Sequence, residues 1–308
     1  MTALLPSAEP VAAEAEQLAL AGEVGSWRIL LQSLTSNVPA LLSALFLLGL
    51  ILVAALAPVV APYNPNEGFM NGLTMQGAPL PPGHTFLLGT DANGRDVLSR
   101  LIYGARISLT IGIVANGFAM VIGVLVGMVS AYFGGWVDTI LMRVTDVVMA
   151  FPILLLAIAL IAVTGPSIWN IILVIALLYW TYVARVVHGM VLSLREREFV
   201  TATRTLGVSD ARLLFGHILP HLGSAIIVYG SLGVATTILI ESSLSYIGIG
   251  VPVPTATWGN MIAAGQASYQ EAPWLMIFPG IALVLTVLSF NLVGDWLRDA
   301  LDPMQGGR

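Results

Sequence analysis

An all-α membrane protein with about six transmembrane helices is the fold class this sequence predicts, and three observations predict it. The 308 residues are 57% hydrophobic and only 9% charged, where soluble domains carry about 25% charged residues. The mean hydropathy is +0.90. The apolar residues gather into runs of roughly 20 or more, the length that crosses a hydrocarbon core. One long charged interlude, 185–221, breaks the pattern and reads RVVHGMVLSLREREFVTATRTLGVSDARLLFGHILPH. It holds Arg185, Arg195, Arg197, Arg204 and Arg212, five of the twelve basic residues. At about 2.5 to 3.5 kcal/mol for each arginine at bilayer centre, this stretch is expected to be a water-facing loop on the cytoplasmic side.

The elements follow in order. Residues 1–27 carry Glu9, Glu14, Glu16 and Glu23 and read as a solvated cytoplasmic tail. They lack the basic region and apolar run of a cleaved signal, so the first span, 38–60 within the region 28–61, is expected to be retained, with Arg28 inside. Residues 62–106 form an outside segment. Its Arg95, Arg100 and Arg106 run against the positive-inside tendency, with Asp91 and Asp96 offsetting part of that charge. A core, 107–298, then supplies spans at 107–132, 136–163, 168–187, 224–249 and 273–296. Residues 299–308 return as a cytoplasmic tail.

Several residues inside this frame invite assignment. Gly123 and Gly127 form a GxxxG that permits close helix approach, within the chain or against a partner. Arg143 and Asp146 have the i, i+3 spacing of an ion pair. Glu241, beside Ser242, is an acid placed within a span; it is either a gate or interface group or a carboxylate bonded to neighbouring hydroxyls at a helix contact. His217 and His221 have the i, i+4 spacing of metal ligands, but Pro220 stands between them and no third ligand is evident. Trp258 and Tyr269 are membrane-interface anchors or contacts for a delivery protein. Gly94, Arg95 and Asp96 precede the second span and either hold their loop together or touch that protein.

Within the charged interlude, 195–206 is rich in helix formers. Phe199, Ala202 and Leu206 share one side, and Gly207 supplies a stop. Ser209 can cap a second helix, with Asp210 facing its positive end and Pro220 closing it. Such a helix-turn-helix fits a groove on another protein, or rests on lipid headgroups; the spacing supports both.

Composition also excludes. The chain has no lysine, and a Walker A loop needs one on the β and γ phosphates, so an ordinary P-loop site is ruled out. Zero cysteines exclude disulfides, thiolate metal sites and a cysteine nucleophile. The motifs HExxH and GxSxG are missing, which ranks an intramembrane enzyme last. A secondary transporter or channel would need coupling acids in its spans, and Glu241 with Asp146 is thin material.

The segment TATRTLG followed by HILP resembles the EAA loop of ABC importer membrane subunits. Ala202, Gly207, Leu219 and Pro220 fit that pattern, while Thr201 stands at the Glu position, Thr203 at the second Ala and His217 at the Ile. LGTDANGRDVLSRLIYGARISL (88–109) and ESSLSYIGIGVPVPTATWGNMIAAG (241–265) resemble the C-type permease subunit of dipeptide, oligopeptide and nickel importers. The likeness runs from Trp27 to Pro303. It implies a type I ABC importer permease fold in a prokaryotic inner membrane, with peptide cargo ahead of nickel or another small solute. The partners it implies are a second homologous permease, two ATPase subunits and an extracytoplasmic binding protein, with lipid around them and no nucleic acid. ATP-Mg would be used by the ATPases, and this chain would bind no cofactor or metal.

The resemblance makes 195–220 a coupling loop whose Arg197, Phe199, Thr201, Ala202, Thr203, Leu206, Gly207, Ser209, Asp210 and Leu213 meet the ATPase. Glu241, Ser242, Gly123 and Gly127 are expected at a gate or permease interface. Asp91, Gly94, Arg95, Asp96 and Trp258 are expected to contact the binding protein.

Overall fold

The Asn37 side chain opens the first long helix, its Oδ1 accepting the Ala40 N–H at 3.2 Å, and Pro39 supplies the fixed φ suited to a first turn. The computed structural model describes residues 32–301. The expected tail 1–27 and residues 302–308 lie outside the described residues. Helix α1 spans Val38–Ala55, and a turn at Ala57–Val60 completes the expected span after a break at Leu56.

Helix α2, Val97–Phe133, runs for 37 residues, about 55 Å at 1.5 Å per residue and longer than the roughly 30 Å hydrocarbon core. It begins ten residues before the expected span because Asp96 caps it. The Asp96 Oδ2 accepts both the backbone N–H and the hydroxyl of Ser99, each at 2.7 Å. Arg100 and Arg106, placed by sequence in a loop, therefore ride on the helix.

The expected continuous span 136–163 is corrected. It is two helices, α3 (Gly135–Met149) and α4 (Ile153–Thr164), bent by 88° across the break. Pro152 is the physical reason: it has no N–H to give, and it disfavours a helical residue before it. Helix α5, Ile168–Arg195, starts on a Ser167 cap and carries eight residues more than expected. Residues 185–195 are thus helix, which corrects their reading as loop.

Two short helices follow, α6 (Glu198–Thr205) and α7 (Asp210–Leu213). Then come α8 (Gly223–Tyr246), α9 (Trp258–Gln266) and α10 (Trp274–Leu301). Among the described residues, five helices are long and apolar enough to cross a membrane, or six with the bent pair as one span. Among the described residues, β pairing is limited to isolated bridges, Leu73 with Pro79 and Thr90 with Asp96.

The centre of the bundle is α2 against α5. A Cβ at Gly123 would stand 2.5 Å from the Val183 Cβ, and one at Gly127 would stand 2.5 Å from the Ala184 carbonyl oxygen. Side chains at either position would force the helices apart. Of the two contacts left open for this pair, the structure shows the one within the chain: the close approach is filled by α5, and the place at a permease interface is not the one they take.

Candidate functional site

The segment joining α5 to α8 is anchored by its buried aliphatic residues and displays much of the rest. Val200, Leu213, Leu214, Ile218 and Leu222 are buried under it. Phe199 is half-buried and stacks on His221, with ring centroids 4.9 Å apart. Thr203 turns inward and bonds the Phe199 carbonyl at 2.7 Å. Arg197, Thr201, Ala202, Gly207, Ser209 and Asp210 are exposed, and Leu206 is 81% exposed. The expected apolar face Phe199, Ala202, Leu206 is therefore split: only its first member packs on the body. Leu213 is fully buried and supports the segment instead of facing outward.

Gly207 turns the chain between α6 and α7 at φ +77°, a conformation costly for residues with a Cβ. Ser209 occupies the cap position of α7, but its side chain makes no capping bond. Asp210 is drawn elsewhere, accepting the Tyr132 hydroxyl at 2.5 Å. Arg204 lies over the same ring, 5.1 Å from its centre. Tyr132 is near the end of α2, so one aromatic residue ties both short helices to the longest helix. Pro220 does not end α7 as expected. A wide turn at Leu214–Ile218 precedes it, closed by the Leu219 N–H on the Leu214 carbonyl five residues back.

A groove of about 530 Å³ opens between α4, α5, α8 and the end of α3. Tyr179, Tyr182, Tyr229, Thr181 and Thr236 line it together with Phe151 and aliphatic residues, and no ionisable acid or base is in its wall. Tyr179 and Tyr182 stack at 5.8 Å. Next to the groove, Arg185 of α5 pairs with Asp146 of α3. The expected Arg143 partner is thus corrected, because the fold brings α5 nearer to Asp146. A second tie joins the same helices, His188 Nε2 to Asp138 Oδ1 at 2.8 Å.

The opposite end of the bundle is knit shut. Glu241 lies fully buried five residues before α8 ends, receiving hydrogen bonds from the hydroxyls of Ser245 (2.7 Å), Ser108 (3.2 Å) and Ser242 (3.4 Å). Of the two places left open for Glu241 by sequence, the structure shows the second, a carboxylate bonded to hydroxyls where α2 meets α8; Ser242, expected beside it at a gate or permease interface, is buried in the same contact. Trp258 is fully buried, its indole N–H on the Leu101 carbonyl at 3.2 Å. Asp96 and Gly94 are buried as well. These three are unavailable to a delivery protein, which corrects that expectation. Asp91 and Arg95 are half-buried, and Asp91 pairs with Arg100 at 3.4 Å. Arg100 also donates to the Pro65 carbonyl at 3.0 Å and the Pro254 carbonyl at 3.4 Å. Its charge is used inside the fold, so it no longer weighs on the topology. Tyr269 remains exposed.

The sequence reading missed the three groove tyrosines and the Tyr132 tether. The i, i+3 pair Tyr179 and Tyr182, with Thr181 between, was the available signal: hydroxyls clustered in an otherwise apolar span.

A multi-span helical bundle with a displayed connector and a hydroxyl-lined groove defines a membrane-embedded transport subunit. The chain belongs to the binding-protein-dependent transport system inner membrane component family, whose model matches residues 119–305. Residues 25–82 match the N-terminal TM domain of oligopeptide transport permease C. The chain is 38% identical over 285 residues to the dipeptide transport system permease protein of Alkalihalophilus pseudofirmus, covering 91% of this chain and 90% of that one. It is 39% identical over 273 residues to the di/tripeptide transport system permease protein of Pseudomonas aeruginosa, covering 88% and 90%. A putative peptide permease protein of Brucella suis is 41% identical over 269 residues, 87% of each chain. The chain is accordingly a multi-pass permease subunit of a bacterial inner membrane.

Proposed function

We propose that this subunit imports peptides of a few residues, in a complex with a second permease, two ATPases and an extracytoplasmic binding protein. Relatives named for dipeptides and di/tripeptides that match nearly the whole chain support the cargo class. The observation that carries the mechanism is the exposed crest formed by Thr201 and Ala202 of α6 and Leu206 just past its end, standing on a buried apolar footing. An exposed leucine on a short helix with a rigid base is suited to a hydrophobic groove in another protein. ATP energy reaches this chain as movement of that crest, and the ATPases keep the nucleotide and its magnesium. The groove lined by tyrosines is this subunit's half of the path, and the second permease closes its open side. A neutral wall of hydroxyls and aromatic faces accepts varied peptide side chains without holding any of them tightly.

The test is peptide uptake into proteoliposomes carrying both permeases and the ATPases, with the binding protein supplied on the outside. Uptake that needs ATP and the binding protein, together with no ATP hydrolysis by the isolated subunit, is the expected result. Uptake by this subunit alone, driven by an ion gradient, would overturn the proposal.

A further inference from the structure

We propose that Asp146 and Arg185 form the inner gate of the groove, closed as seen here and parted when motion of the coupling segment travels along α5. This rests on the importer reading above and assigns the closing device within it. Arg185 lies one helical turn past Thr181 and Tyr182, and Asp146 one turn before Met149; all three of those neighbours line the groove. The pair therefore bridges α3 and α5 at the end of the groove nearer the coupling segment.

Three features make it a gate and not only a brace. The first is its surroundings: the two side chains remain 48% and 43% exposed, and charges at this depth of a membrane protein belong in a water-filled path. A pair in contact with water contributes only about 0 to 1 kcal/mol, so a modest push separates it. The second is the weak seating of α3. Of its fifteen residues only Thr145 is buried, so the helix is held to α5 in large part by this pair and by His188 with Asp138. Beyond α3 the 88° bend before α4 provides a joint about which it can swing. The third is the linkage. Arg185 is ten residues from the end of α5, and α6 begins three residues after that end. A rod of about 15 Å thus connects the crest to the pair.

The chain has no cysteine, so Asp146→Cys with Arg185→Cys introduces the only two thiols of this subunit. In the complete transporter in proteoliposomes, bridging them with a short bis-methanethiosulfonate should stop peptide uptake, and dithiothreitol should restore it. Failure of the bridge to form, or uptake at the unbridged rate, overturns the gate. Charge reversal is the second measurement. Asp146→Arg and Arg185→Asp should each lower uptake by about tenfold while ATP hydrolysis continues, and the two together should recover most of the loss. A brace would instead lower the amount of assembled complex, and single reversals that transport normally would overturn the gate. Wild-type complex that takes up no peptide refutes the importer reading; wild-type uptake matched by the bridged variant refutes the gate alone.

Discussion

Trp258 and Leu206 are both large apolar residues in connections between long helices, and the fold treats them oppositely. Trp258 is fully buried, with a hydrogen bond to α2 and a place against Gly104 that a Cβ there would crowd at 3.3 Å. Leu206 is 81% exposed beside a glycine with open space around it. The same contrast holds for charge. Arg100 is wrapped by Asp91 and two carbonyls, whereas Arg185 and Asp146 meet each other half exposed. One end of the bundle is a fixed cap. The other displays its side chains, as the proposed grip by the ATPases requires.

The largest effect that can break this contrast is at the cap. Trp258→Ala should cost about 3 to 5 kcal/mol, because the cavity left beneath α9 cannot collapse against α2. Thermal unfolding in detergent measures it, and an unchanged midpoint would mean that the cap is not what holds the bundle. Arg100→Gln ranks next. It leaves Asp91 without its cation and two carbonyls without a donor, which should cost about 3 kcal/mol by the same assay, with protease cleavage appearing in residues 61–96.

How much of this could be read from the sequence follows the same division. The spans and the displayed connector were legible because hydropathy and charge report burial in a membrane directly. The start of α2 was not, since Asp96 in a polar stretch reads equally as a loop residue or a helix cap. The bend between α3 and α4 was legible in principle: Pro152 follows Phe151 in the middle of an apolar run, but hydropathy averages over a single proline. At the site, the turn of the displayed segment was legible through its glycine, and the EAA likeness is what marks that segment as the expected coupling loop. Sequence leaves Glu241 between a gate and a helix contact and points Trp258 outward, because depth in a span and membership of a loop do not say which neighbours fold over a residue. The Ser108 hydroxyl that bonds Glu241 is 133 positions away in sequence, beyond the reach of any local pattern.

Gly207→Val sharpens the contrast at the displayed end. The φ of +77° should cost a branched residue about 1 to 2 kcal/mol, confined to the turn between α6 and α7. Uptake in the reconstituted complex should fall to background while the amount of subunit in the membrane stays near wild type. Full uptake by this variant would remove the turn from the coupling path.

Leu206→Ala should have the smallest effect on the subunit and the most informative one on the assembly. An exposed side chain contributes within about 0.5 kcal/mol to folding, so the unfolding midpoint should not move. If Leu206 is the anchor of the ATPase contact, truncating it should still weaken ATPase binding to the membrane complex by about tenfold or more, as for a central interface residue. A pull-down titration of ATPase on immobilised permease complex reads this without any transport step. Loss of binding with an unchanged midpoint separates display from structure at a single residue, which Trp258→Ala cannot do because its two effects arrive together. Unchanged binding would move the anchor to another exposed position on the crest, with Thr201 and Ala202 as the next positions to change.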